Sequence, residues 1–252
     1  MGRIIFTIDG PVATIALDSP DNHNAVDAAM RQALTEAYET IDKDDSIRVG
    51  VIHGANGGSF CAGGSIDGYL QAQVFGPDAQ PLPRIPRPFP ARKPYIAAMT
   101  GFALGGGFAL ALTCDLRVAG KGAQMGPTGL KLGAVQGAQT ISRLTRLLGG
   151  SRALEVLLLS KQLTGEQAAE IGLVNAVTDD DKVLKQALEW ARAIAEFSPW
   201  AVAMTKQLVY EGQHLSLEDA IAWEDQVATE GYKRPEALEG FTAFKERRHP
   251  KF

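Results

Sequence analysis

Apolar positions change period several times along the chain, and each change marks an element. Ile4-Ile5-Phe6-Thr7-Ile8 and Val12 to Leu17 alternate around Asp9-Gly10-Pro11, the pattern of a hairpin. Met30, Leu34, Ala37 and Ile41 recur at helical spacing between Asp27 and Asp44, which predicts an amphipathic helix. Val49 to Gly54 is a short apolar run entering a glycine-rich loop and reads as a buried strand. Ile96-Ala97-Ala98-Met99 repeats that arrangement before Gly101. From residue 139 the period is helical over 139–149, 151–160, 164–171, 181–197, 200–213, 217–230 and 234–248, with a short strand at 174–177. Strands mixed with helices, then helices alone, predict an α/β core at 1–197 and a C-terminal helical region at 198–252, divided at Ser198-Pro199. No repeat of 20 to 50 residues is visible by inspection.

Prolines interrupt this pattern in one place. Positions 77, 81, 83, 86, 88, 90 and 94 hold seven of the thirteen prolines. Each removes an amide donor and clashes with a preceding helical turn, so the stretch predicts an extended surface loop, a candidate lid.

Composition narrows the class. With 252 residues, 45% of them hydrophobic and 21% charged, the chain can bury a large core. A net charge of −4 argues against a nucleic-acid partner. Two cysteines, Cys61 and Cys114, make no disulfide framework and point to a reducing compartment. Without a run of 18 apolar residues or a signal-peptide pattern, the expectation is a soluble cytoplasmic protein with no membrane partner. Charge is unevenly placed, however. Positions 79 to 154 carry ten basic residues against one acid, Asp115. Buried or solvated arginines and lysines explain such a stretch as readily as a local anionic ligand.

Two glycine-rich loops are the candidate chemistry, Gly54 to Ile66 and Gly101 to Leu112. Each follows a predicted strand, and the second leads into an apolar helical run. Amides freed by glycine at a helix start can hold an anion or a developing oxyanion. Tight turns or close packing would use glycine equally well. Neither loop has the Gly-Lys-Ser/Thr of a phosphate loop or the spacing of a dinucleotide site.

Taken with their flanks, the loops resemble the enoyl-CoA hydratase/isomerase (crotonase) family. The pieces that carry the resemblance, in order, are Ser19 to Val26, Ser59-Phe60-Cys61-Ala62-Gly63, Lys93 to Ala98, Gly101 to Gly107, Cys114-Asp115-Leu116-Arg117, and the ending Glu239 to Phe252. The resemblance implies a crotonase-like spiral of ββα turns, a helical C-terminal trimerisation region, a homotrimer or homohexamer, and an acyl-CoA thioester as ligand. It implies no cofactor beyond the CoA of the substrate, and no metal. It places the oxyanion hole at the amides of Ala62 and Gly106, and thioester or CoA contacts at Ala25, Ala62, Gly63, Gly64, Ser65, Ile66 and Gly106.

The resemblance fails where the family moves protons. Its two glutamates fall at Ala109 and Gly129, and the aspartate nucleophile of related dehalogenases falls near Gly137. Ser65 replaces a usual aspartate. No acid lies within thirteen positions of Gly129. Asp67, beside the CoA strip, is the candidate substitute acid/base, and His53, which can titrate near neutral pH, is another. Asp115 reads as a structural acceptor and Cys61 as a packing residue. Thr128, Gln136 and Gln139 could orient water, and Glu224 and Glu239 read as surface or interface charges. Two functions therefore stand. One is a hydratase/isomerase-type enzyme on an enoyl-CoA or related thioester with a non-standard acid/base; the other is a non-catalytic acyl-CoA binder or sensor. The family relatives that bind RNA fit the net charge poorly. The proline-rich loop at 77–94 borders the expected acyl pocket and points to a bulky or cyclic acyl end.

Overall fold

The computed structural model describes residues 2–71, 75–78 and 84–252. The predicted hairpin forms as strands β1 (Arg3–Asp9) and β2 (Val12–Asp18), antiparallel with Arg3 opposite Asp18. Helix α1 (Ala28–Lys43) follows. The Asp27 side chain caps it by accepting the Met30 amide, and Met30, Leu34, Ala37, Tyr38 and Ile41 form its buried stripe. Strands β3 (Val49–Gly54) and β4 (Tyr95–Met99) then add to β2 in parallel, with α2 (Ile66–Gln71) between them.

From here the chain repeats one move. A strand joins the large sheet, a short strand joins a second sheet, and a helix returns. Strand β4 leads to β5 (Phe102–Leu104) and helix α3 (Gly106–Thr113). Strand β6 (Leu116–Gly120) leads to β7 (Gln124–Gly126) and helix α4 (Thr140–Leu158). After β8 (Leu163–Thr164) and α5 (Gly165–Glu170), β9 (Ala176–Thr178) closes the large sheet in the order β1-β2-β3-β4-β6-β9, beside a smaller sheet β5-β7-β8. This is the expected spiral of ββα turns.

The parallel strands are buried on both faces, which is why they read as apolar runs and not as alternating ones. Val49, Val51, Ile96, Ala98 and Val118 pack against α6 (Val183–Ala195), while Ile52, Ala97, Met99 and Ala119 face the main core. Helices α7 (Pro199–Gly212), α8 (Leu217–Tyr232) and α9 (Pro235–Glu246) end the chain. Ser198 caps α7 through the Ala201 amide. Helix α4 spans two of the predicted segments and breaks at Gly149, the last residue of the first, whose φ of 72° favours glycine. Residues 79–83 of the proline-rich stretch lie outside the described residues. Residues 84–94 carry no helix, but the segment does not simply lie on the surface, because Ile85 and Pro88 are buried.

Candidate functional site

The two glycine loops meet. Past β3 the chain runs beside β5: the Cys61 amide donates to the Phe102 carbonyl at 2.8 Å, and the Leu104 amide to the Cys61 carbonyl at 2.9 Å. Glycine is required where α3 starts, because a Cβ on Gly107 would overlap the Cys61 carbonyl. Gly63 has φ of +114°, and a Cβ there would lie 3.2 Å from the Gly106 nitrogen. A Cβ on Gly106 would lie 3.5 Å from the Gly64 nitrogen. Backbone thus faces backbone across the gap.

Peptide planarity decides which amides point into it. The Cys61 carbonyl faces β5, so the Ala62 N–H on the same peptide points the other way and donates to the His23 carbonyl at 3.0 Å. The Gly63 carbonyl accepts the Val26 amide at 2.7 Å, so the Gly64 N–H is turned away from Val26. Gly106 is the first residue of α3, where an N–H has no acceptor within the helix. The rest of α3, Gly107 to Thr113, is buried, which leaves its positive dipole end little screened by water. Among the described residues, neither Gly64 nor Gly106 donates a backbone hydrogen bond. The Ala62 amide is engaged elsewhere.

The family profile described as Enoyl-CoA hydratase/isomerase matches residues 7–252. The chain belongs to the enoyl-CoA hydratase/isomerase family. It is 34% identical to the 2,3-dehydroadipyl-CoA hydratase of Escherichia coli (strain K12), with 100% of this chain and 99% of the relative covered. It is 32% identical to the (E)-benzylidenesuccinyl-CoA hydratase of Thauera aromatica, over 99% of this chain and 98% of that one. The crystal structure of an enoyl-CoA hydratase from Mycobacterium tuberculosis H37Rv superposes with a TM-score of 0.89 at 31% identity, covering 99% and 98% of the two chains. Both of those curated relatives are by name hydratases of CoA thioesters, and the fold of this chain is the crotonase fold.

The two positions where the resemblance leads one to expect glutamates carry no acid. Ala109 is buried on α3, its amide donating to the Gly105 carbonyl at 3.0 Å. At Gly129 a Cβ would stand 2.9 Å from both the Ala134 oxygen and the Gln136 nitrogen, so the 134–136 backbone fills the space a side chain would enter. Gln136 holds this arrangement. Its buried side-chain oxygen accepts the Thr128 and Gly129 amides at 3.1 and 2.9 Å, and its Nε2 donates to the Gly105 carbonyl at 3.4 Å. Gln136 is therefore a brace between the two segments. The Thr128 hydroxyl abuts Gly105, whereas Gln139 is exposed and accepts from Arg143 at 3.1 Å.

Asp67 is exposed in the first turn of α2, with no hydrogen bond to either loop among the described residues. His53 is half-buried in β3, its Nδ1 2.9 Å from the Gly54 carbonyl, and burial lowers its pKa. Ser65 accepts the Gly68 amide at 3.2 Å, and Ile66 beside it is 57% exposed. Ala25 donates to Asn22 in the loop that carries His23. Cys61 is buried, and that burial pushes its thiol up to about 12, so it is no thiolate nucleophile at neutral pH. Asp115 accepts the Tyr95 amide at 2.7 Å, Lys206 Nζ at 2.8 Å and the Tyr210 hydroxyl at 3.0 Å, the structural role expected of it. Glu239 pairs through both oxygens with Arg248, which holds its carboxyl down at about 2. Glu224 is exposed on α8.

Two residues at the gap carry no sequence signal. The Tyr69 hydroxyl lies against Gly64, and the Ile85 Cδ1 would be 2.8 Å from a Cβ on Gly106. Both arrive through tertiary packing.

Proposed function

We propose that this chain binds an enoyl-CoA or related acyl-CoA thioester with the carbonyl oxygen between the amides of Gly64 and Gly106, and activates it as an enzyme of the hydratase/isomerase type. The observation that supports this most is that pair of undonated amides, one at the start of a buried helix. Hydrogen bonds aimed at a developing enolate oxygen are worth roughly 3 to 4 kcal/mol of barrier per donor. The Ala62 amide is left out of the hole, since its hydrogen bond to His23 holds the neighbouring loop in place. Gly63, Gly64, Ser65 and Ile66 border the CoA moiety.

Proton transfer here does not use the family's glutamate pair. Ala109 offers no acid, and a glutamate at 129 would collide with the 134–136 backbone. Asp67 is the candidate acid/base on the CoA strip. The closed space at Gly129 also favours a second reading, a binder that has kept the pocket without the chemistry. We further propose self-association, supported by Leu217, Leu238, Phe241 and Phe244, which are each more than 60% exposed on the C-terminal helices.

Loss of enoyl absorbance with crotonyl-CoA and longer enoyl-CoAs, measured beside calorimetric binding of the same esters, tests the enzyme reading. Turnover that disappears in Asp67→Asn supports it fully. Tight binding with no turnover at any chain length selects the binder instead.

A further inference from the structure

One cation near the glycine loops has no role in this site. Arg87 lies between Pro86 and Pro88, and a following proline restricts Ile85 and Arg87 to extended backbone. Ile85 is 2% exposed and its side chain covers Gly106, so the segment carrying Arg87 passes over the start of α3. The Arg87 side chain is partly buried, and its Nε is shut off from solvent with no hydrogen-bond partner among the described residues. Burial acts on it most; the cations near it, Arg84 and more weakly Arg143, have its own sign, and the other groups beside it are the phenols of Tyr38 and Tyr69.

Those phenols connect it to the site. The Tyr69 hydroxyl lies against Gly64. Tyr38 is 7% exposed, and its hydroxyl too is buried without a partner among the described residues. The single acid of the basic stretch, Asp115, is already engaged with Lys206, Tyr210 and the Tyr95 amide. A guanidinium drawn into the interior without an anion is unfavourable, and buried polar atoms ordinarily find partners. A ligand that brings its own anion removes both deficits. A CoA phosphate fits less well, because it is strongly hydrated and Tyr38 belongs to the main core.

We propose that Arg87 binds a carboxylate at the far end of the acyl group, with the Tyr38 hydroxyl as a second donor, so that the preferred ligands are CoA thioesters of dicarboxylic acids. This rests on the CoA-thioester reading above and gives the proline-rich segment a purpose: it delivers a charged contact to the acyl pocket.

Calorimetry of the full chain with adipyl-CoA and hexanoyl-CoA, which differ only in the terminal carboxylate, tests it. The wild-type protein is expected to bind adipyl-CoA about tenfold more tightly or better, the effect of a charge-assisted hydrogen bond. Arg87→Gln should abolish that preference and leave hexanoyl-CoA binding unchanged. Arg87→Lys should restore part of it, as a point charge without the bidentate fork. Equal or weaker binding of adipyl-CoA by the wild-type protein overturns the proposal, and that comparison needs no variant to fold. Equal weakening of both esters in Arg87→Gln also overturns it and puts the guanidinium on a CoA phosphate. Failure of the folded wild-type chain to bind either ester overturns the CoA-thioester reading and this proposal with it.

Discussion

Replacing Gly107 with alanine should damage stability and ligand binding together. The added Cβ would overlap the Cys61 carbonyl oxygen and lie 2.7 Å from the carbonyl carbon and 2.8 Å from the Cys61 Cβ. All three are anchored atoms, because Cys61 is paired on both sides with β5. Overpacking of this kind costs about 1 to 3 kcal/mol. Alanine offsets at most about 1 kcal/mol of that through helix propensity. The net loss should be about 1 kcal/mol, read as a lower denaturation midpoint at unchanged slope. The strand must also retreat from α3, which carries Gly64 away from Gly106. Losing the alignment of one hydrogen bond costs about 1 kcal/mol, so butyryl-CoA affinity measured by calorimetry should fall roughly fivefold. Gly150→Ala is the control. Gly150 lies in α4 with open space within 4 Å of where its Cβ would sit, so this change should stabilise the helix by up to about 1 kcal/mol and leave binding alone. A Gly107→Ala protein as stable as the parent, with unchanged butyryl-CoA affinity, would refute the close backbone approach on which the site depends.

Two further outcomes follow from buried charges. Asp115 and Lys206 are 17% and 12% exposed in their side chains, so Asp115→Asn leaves a poorly solvated ammonium and should cost about 3 kcal/mol in denaturant unfolding, partly recovered when Lys206 is also changed to methionine; an unchanged midpoint would contradict this. His53 has its pKa lowered by burial, so below its ordinary value of about 6.5 the unfolded chain binds the proton first. Its share of stability is therefore present above that pH and lost as the pH falls toward the folded-state pKa. His53→Gln should flatten the stability profile as the pH falls below about 6.5, where that shift acts. The same slope in both proteins would count against it.

The fold was legible because its main signals are local. The stripe Met30, Leu34, Ala37, Ile41 is buried as its spacing predicts, and Asp9-Gly10-Pro11 does join two paired strands. The glycine loops were legible as a place, and so was Gly106, but the second amide of the proposed pair was not. Ala62 and Gly64 have similar sequence surroundings. Which of their amides faces α3 depends on the pairing of Cys61 with β5, on the Val26 hydrogen bond and on the positive φ of Gly63, which redirects the chain between them. Those are tertiary facts. The same holds for Gln136, which reads in sequence as a polar side chain free to hold water and in the fold spans Gly105 and Gly129. Arg87 was visible only as one of ten basic residues in a stretch. That its Nε has no hydrogen-bond partner among the described residues stands out once Asp115 is seen to be taken by Lys206.

Polarisation of the thioester carbonyl is the most direct test, since it requires no turnover. Isotope-edited infrared spectroscopy of butyryl-CoA carrying a labelled carbonyl carbon reads that bond alone. An oxyanion hole at Gly64 and Gly106 predicts that the carbonyl stretch moves to lower frequency on binding. In Gly106→Pro the helix keeps a tolerated first residue but loses the N–H, and the shift should shrink. A bound carbonyl at the frequency of the free ester, or the same shift in both proteins, would contradict it.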